Sequence, residues 1–177
     1  MSQETPSFLL GVGARDGERL GNMQEALRRL AAAGLAIRAV SSVYETEPVG
    51  LAGDRTLLNG VAVIGSALAP ADVMQALLRI ESGMGRARTA GAPDPGYRPI
   101  DLDILLFGDQ VVQSAGLVIP HPRMQARRFV LEPLAEVAPD AVHPVLARTA
   151  RQLLAECPDR ARVWRHAPAE AWWPAAR

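Results

Sequence analysis

The spacing of apolar and polar positions divides the chain into short strands and helices. Phe8-Leu9-Leu10-Gly11-Val12-Gly13 is a continuous apolar run closed by glycines, the pattern of a buried strand. Leu20, Met23, Leu27 and Leu30 recur at helical spacing, and Gly34 supplies the stop. Residues 37–44 read as a second strand and residues 58–66 as a third. The polar stretch between them, with Pro48, Gly50 and Gly53, reads as a loop. Pro70 opens a second helix whose inner face carries Val73, Leu77, Ile80 and Met84. Residues 85–99 hold three glycines, three prolines and three arginines. They are expected to form a long mobile loop, a common place for function. A fourth strand follows over residues 99–107. Val111-Val112 and Leu117-Val118-Ile119 predict a short hairpin, and residues 124–137 and 149–157 predict two more helices. The order β-α-β-β-α-β places the chain in the α+β class, as a ferredoxin-like split βαβ antiparallel sheet with helices packed on one face. One domain is expected over residues 1–157. Residues 158–177 are set apart as a tail of unknown role, because Trp164, Trp172 and Trp173 follow no clear pattern.

The fourth strand carries the most informative pattern. In Pro99-Ile100-Asp101-Leu102-Asp103-Ile104-Leu105-Leu106-Phe107 the two carboxylates are two apart and therefore share a face. Ile100, Leu102, Ile104 and Leu106 point to the other face, into a core. Two like charges roughly 7 Å apart on a half-buried strand repel and are costly to desolvate. A hard divalent cation removes both costs, and Mg²⁺ is held by one or two carboxylates together with phosphate oxygens. A solvated strand face accounts for this segment equally well when it is taken alone.

Composition narrows the chemistry. All 19 basic residues are arginine, which excludes a P-loop and a Schiff-base lysine while leaving arginine forks for phosphate. The net charge of zero argues against nucleic acid as a partner. A single cysteine, Cys157, excludes internal disulfides and a thiolate zinc site. No apolar run approaches the ~20 residues of a membrane span, and the first residues have no signal-like pattern, so a cytoplasmic protein is expected.

Other segments carry candidate chemistry beside bland alternatives. Gly11-Val12-Gly13-Ala14-Arg15-Asp16 approaches a dinucleotide fingerprint, but Asp16 stands at the third glycine position and no acid follows at a strand end. A tight turn accounts for it better. His121, locked between Pro120 and Pro122, suits a phosphate contact or proton donor, or else an ordinary turn. Arg123 and Arg127 would share a helix face, and Arg86, Arg88 and Arg98 flank or occupy the long loop. With the Asp-x-Asp strand between these two arginine groups, the set matches the usual equipment for holding a polyphosphate. Asn59 can read a heterocycle edge or cap a turn, and Phe129 can stack on a ring or fill a core. His143 is read as structural.

Taken together, Ser41-Ser42-Val43-Tyr44-Glu45-Thr46-Glu47-Pro48-Val49-Gly50, Leu58-Asn59-Gly60-Val61, Ile80-Glu81, Gly85-Arg86-Ala87-Arg88, the stretch from Arg98 through Asp101 and Asp103 to Gly108, and Ile119-Pro120-His121-Pro122-Arg123-Met124 with the run from Arg127 to Glu136 resemble the 6-hydroxymethyl-7,8-dihydropterin pyrophosphokinase family of folate biosynthesis. The resemblance covers about residues 8–157.

That resemblance implies mobile catalytic loops and transfer of pyrophosphate from ATP to a reduced pterin, with AMP as the second product. It implies two Mg²⁺ ions on Asp101 and Asp103, phosphate-closing residues Arg86 and Arg88, and Arg98 near the metals. ATP contacts fall on Glu81, Arg88, His121 and Arg127. The pterin pocket falls on Thr46, Pro48, Val49, Asn59 and Phe129. A monomer with two small-molecule substrates is expected. Three departures from the family pattern stand out. Gly11-Val12-Gly13 replaces the usual Gly-Ser-Asn. Tyr97 stands in a shifted place for an aromatic, and Gly116 falls where some members carry an arginine. The rival readings are a descendant that binds without transfer, motivated by Gly11-Val12-Gly13, and a nucleic-acid binder, which lacks the expected paired exposed aromatics.

Overall fold

A computed structural model describes residues 7–47, 56–85 and 98–174. Its elements are β1 (Ser7–Ala14), α1 (Arg19–Ala32), β2 (Ala36–Val40), β3 (Val43–Thr46), β4 (Leu57–Gly65), α2 (Pro70–Gly83), β5 (Asp101–Phe107), β6 (Val112–Ser114), β7 (Leu117–Ile119), α3 (Arg128–Val137), β8 (Val142–His143), β9 (Arg148–Thr149), α4 (Ala150–Glu156) and β10 (Val163–Ala167). The main sheet is antiparallel, in the order β10-β3-β4-β1-β5, with β2 also paired to β4. The expected α+β ferredoxin-like plan is therefore present. β1 and β4 are its two central strands, and β5 is an edge. No helix among the described residues is long and apolar enough to cross a membrane.

Alternation along β1 decides which face each layer covers. Phe8, Leu10, Val12 and Ala14 pack with Met23, Leu27 and Leu30 of α1 and with Val73, Leu77 and Ile80 of α2. Burial of each such leucine contributes about 2 kcal/mol. Leu9 points to the opposite face, where Leu131 and Leu134 of α3 and Leu153 of α4 form a second cluster. Helices thus cover both faces, not one. Beyond Leu9, the side chains that would fill this second face are missing at Gly11 and Gly13, so the sheet there is left open.

Three further expectations are corrected. The second strand is split into β2 and β3, because Ser41 and Ser42 spend their hydrogen bonds sideways. Ser41 Oγ accepts from Val61 N–H at 3.0 Å, while Ser42 N–H and Oγ donate to the Glu136 carboxylate at 2.9 and 2.8 Å. Leu106 belongs to the α3/α4 cluster with Leu105, since an irregularity opposite Leu9 and Leu10 breaks the alternation of β5. The helix expected over residues 124–137 is interrupted. A 3₁₀ turn at Met124–Ala126 gives way to extended backbone at Arg127 (φ −126°, ψ 102°) before α3 begins, so Arg123 and Arg127 do not share one helix face.

Residues 158–177, read from sequence as a tail, contribute β10 at the sheet edge beside β3 and place Trp172, 1% exposed, in the α1/α2 core. β10 is only five residues long and its burial does not alternate; Trp164 lies within it while Trp172 and Trp173 follow it, so periodicity carried no signal.

Candidate active site

Two register rows form the floor of a cleft. Asn59, Gly13 and Asp101 lie side by side on β4, β1 and β5, and the next row holds Val61, Gly11 and Asp103. The glycines matter because a Cβ on Gly13 would meet Asn59 Oδ1 at 3.3 Å, and one on Gly11 would meet Leu105 at 3.4 Å. The resulting cleft has a volume of about 270 Å³. Arg98, His121, Arg127 and Phe129 stand around it.

Each wall is fixed by an identifiable contact. Asp16, 7% exposed, accepts the Arg98 backbone N–H at 2.7 Å and the Arg15 Nε–H at 3.2 Å, tying the entry of β5 to the end of β1. Glu81, 2% exposed, accepts the Leu102 N–H at 2.8 Å, which satisfies the edge backbone midway between the two aspartates. The His121 N–H donates to Leu105 O at 2.9 Å, continuing from the end of β5. The Arg123 N–H donates to His121 Nδ1 at 3.2 Å, so the neutral imidazole carries its proton on Nε2, which lies 4.0 Å from Asp103 Oδ2. Burial holds His121 below its ordinary pKa; nearby Asp103 raises it again, while Arg127 and Arg123 push it down. Burial likewise lowers Arg127, with Arg123 adding to the effect and the two aspartates opposing it. The Arg127 guanidinium sits over the Phe129 ring, 5.6 Å from its centroid. Asn59 Nδ2 donates to Thr46 Oγ1 at 3.3 Å, both side chains being buried.

The cleft therefore brings together Asn59, Arg98, Asp101, Asp103, His121, Arg127 and Phe129 from the sequence-derived set. Thr46 stands behind Asn59 as its hydrogen-bond partner. Glu81 is turned to the backbone of β5 and does not line the cleft. Pro48, Val49, Arg86 and Arg88 lie outside the described residues, as does Tyr97. Val12, the centre of the altered Gly11-Val12-Gly13 segment, is 2% exposed within the α1/α2 core, so its side chain points away from the cleft. Leu57 and Arg15 line the cleft and were missed. Leu57 was legible as the same-face neighbour of Asn59 two positions on, whereas Arg15 gave no sequence signal. In sequence, Asp16 at a third-glycine position gives no sign that it anchors the entry to β5.

The family model of 7,8-dihydro-6-hydroxymethylpterin-pyrophosphokinase matches residues 9–139. The chain belongs to this family. A 2-amino-4-hydroxy-6-hydroxymethyldihydropteridine pyrophosphokinase of Synechocystis sp. is 38% identical over 94% of this chain and 83% of its own length. The enzyme of the same name from Pseudomonas aeruginosa is 47% identical over 68% of this chain and 72% of its own. Among solved structures, a Plasmodium falciparum HPPK-DHPS chain crystallised with SDX-DHP superposes with a TM-score of 0.68 at 16% identity. The match covers 88% of this chain and 45% of that one, and it attests the shared fold. This chain thus spans less than half of that longer relative.

The donor set fits Mg²⁺. Two carboxylates share one face at next-but-one spacing over an open cleft, and among the described residues no third His, Cys, Asp or Glu completes a protein cage. Two oxygen ligands with room for waters and phosphate oxygens are what this ion accepts.

Proposed function

We propose that this cleft transfers pyrophosphate from ATP to 6-hydroxymethyl-7,8-dihydropterin, releasing AMP and supplying folate biosynthesis. The observation that carries this is the row Asn59-Gly13-Asp101, which sets a heterocycle-reading amide and a metal-binding carboxylate on one cleft floor with nothing but backbone between them. The pterin lies over Gly13, its edge paired to Asn59, which Thr46 holds, and its face against Phe129. Its hydroxymethyl arm then points toward Asp101 and Asp103.

Asp101 and Asp103 would hold Mg²⁺, two ions in all, beside the ATP phosphates. Bound there, the metal supplies charge neutralisation on the triphosphate and a lowered pKa for the attacking hydroxyl. The substrate oxygen attacks the β-phosphorus, and the bond from that phosphorus to the α-phosphate bridging oxygen breaks. The leaving charge resides on AMP. The protein's part is positioning and electrostatics, as in phosphoryl transfer generally. The Arg127 and Arg98 guanidinium groups face the triphosphate, and Arg86 and Arg88 would add to that positive charge. His121, whose pKa burial lowers, donates Nε2–H to a phosphate oxygen, its Nδ1 being taken by the Arg123 N–H.

The test is AMP formation by the purified chain with ATP and Mg²⁺, measured with and without the pterin. Pterin-dependent AMP is expected; binding of both substrates without AMP would instead establish the non-transferring descendant.

A further inference from the structure

The stretch from Asp159 to Trp172 lies beyond the residues matched by the family model, yet it touches α3, β3 and β4, three elements that bear on the pterin end of the cleft. At its start, Asp159 Oδ2 accepts the backbone N–H of Arg128, the first residue of α3, at 2.9 Å. Its other oxygen accepts the Ala161 N–H at 2.9 Å. No side chain within α3 caps that terminus, so Asp159 does so from a distant part of the chain. Arg127 and Phe129, the cleft's stacking wall, flank the capped residue.

In its middle, Arg162 and Glu47 exchange two hydrogen bonds, Glu47 N–H to Arg162 O at 3.2 Å and Arg162 N–H to Glu47 Oε1 at 2.7 Å. They clamp the residue next to Thr46, and β10 then pairs with β3 itself.

At its end, the Trp172 indole lies beneath β4 on the side away from the cleft. Gly60 rests directly on it: a Cβ there would meet the ring at 2.8 and 2.9 Å. The indole Nε1–H donates to Ser41 O at 2.8 Å, and Ser41 in turn exchanges hydrogen bonds with Val61. Asn59 and Val61, on either side of Gly60, are cleft-floor residues.

We infer that this segment is a strap that sets the pterin half of the site, with Asp159 and Trp172 as positioning residues for Phe129 and Asn59. The strap leaves Asp101 and Asp103, on the far edge strand, untouched. The inference rests on the pterin reading of the cleft, and it gives a signature that general destabilisation does not: recognition of the pterin weakens more than that of ATP.

The experiment determines KM for the pterin and for ATP separately, from AMP release, in the full chain and in Asp159→Ala, Asp159→Asn and Trp172→Phe variants shown to be folded by thermal unfolding. Asp159 is half-buried, so its variants decide the matter even if the tryptophan variant does not fold. Asp159→Ala and Trp172→Phe are expected to raise the pterin KM roughly fivefold, the effect of one lost capping or buried hydrogen bond; the ATP KM stays unchanged in Trp172→Phe and rises less than the pterin KM in Asp159→Ala, whose cap also borders Arg127. Asp159→Asn, which keeps one of the two acceptor oxygens, gives a value between those of Asp159→Ala and the native chain. An unchanged pterin KM in folded Asp159→Ala, or an equal rise for both substrates, overturns the strap while leaving the reaction in place. Absence of pterin-dependent AMP in the unmodified chain is a different result; it overturns the functional reading and the strap with it.

Discussion

Asn59 and Asp101 flank Gly13 in a single register row, one on each neighbouring strand, so their backbones stand about 10 Å apart across the sheet. That span suits a two-ring heterocycle whose short arm ends at the phosphates. The floor between them is flat because Gly13 has no side chain.

Adding one methyl group tests that floor. Gly13→Ala places a Cβ at 3.3 Å from Asn59 Oδ1, tighter than comfortable contact, and Asn59 is already tied to Thr46. The amide must shift by a few tenths of an ångström. The expected result is a pterin KM raised roughly fivefold, in line with the weakening of one or two hydrogen bonds, and an ATP KM left as it was. Steady-state kinetics with each substrate varied in turn check this.

The two aspartates separate catalysis from folding. Asp101→Asn and Asp103→Asn keep size and polarity while removing the charge that would hold the metal. Each is expected to lower kcat by roughly 100- to 1,000-fold, with unfolding temperature unchanged or raised as like-charge repulsion is relieved. A folded variant of either residue with native turnover removes that residue from the reaction.

Glu81 gives a sharper contrast between anchoring and ligand contact. Its carboxylate accepts the Leu102 N–H in a buried setting. Glu81→Ala leaves that donor without its partner and is expected to cost about 2 kcal/mol of stability. Glu81→Gln retains an acceptor oxygen and recovers most of it, with little effect on the ATP KM. Denaturant unfolding and ATP titration together check this. A native-stability Glu81→Gln with strongly weakened ATP binding would return Glu81 to the nucleotide.

His143 sets part of the acid sensitivity. It is 5% exposed, its Nδ1 accepts the Leu146 N–H at 3.2 Å, and burial pushes its pKa below the ordinary imidazole value. The unfolded chain takes up a proton at this residue as pH falls below about 6.5, while the folded chain resists. Stability is therefore full above that point and declines toward the depressed folded-state value. The fall in unfolding temperature between about pH 7.5 and about pH 5.5 is expected to be smaller in His143→Asn, with His121 preserving part of it. An equal fall in both proteins contradicts the assignment.

The chemistry of this site was legible where it followed local rules. Asp101 and Asp103 share a face because strands alternate, and the apolar residues at helical spacing place α1 and α2 against the sheet. What was hidden depended on contacts distant in sequence. Trp172 is core because Gly60 and Ser41 receive it, and the first N–H of α3, at Arg128, is capped by Asp159. The pairing of Glu81 with the β5 backbone is equally non-local, and a match of sequence segments gave no hint of where its carboxylate turns.

The most direct measurement is release of AMP from ATP and Mg²⁺ by the unmodified chain, followed with and without 6-hydroxymethyl-7,8-dihydropterin. The account predicts AMP that rises and saturates with the pterin, accompanied by an equal amount of dihydropterin diphosphate. Folded protein that releases no AMP above the pterin-free background would contradict it.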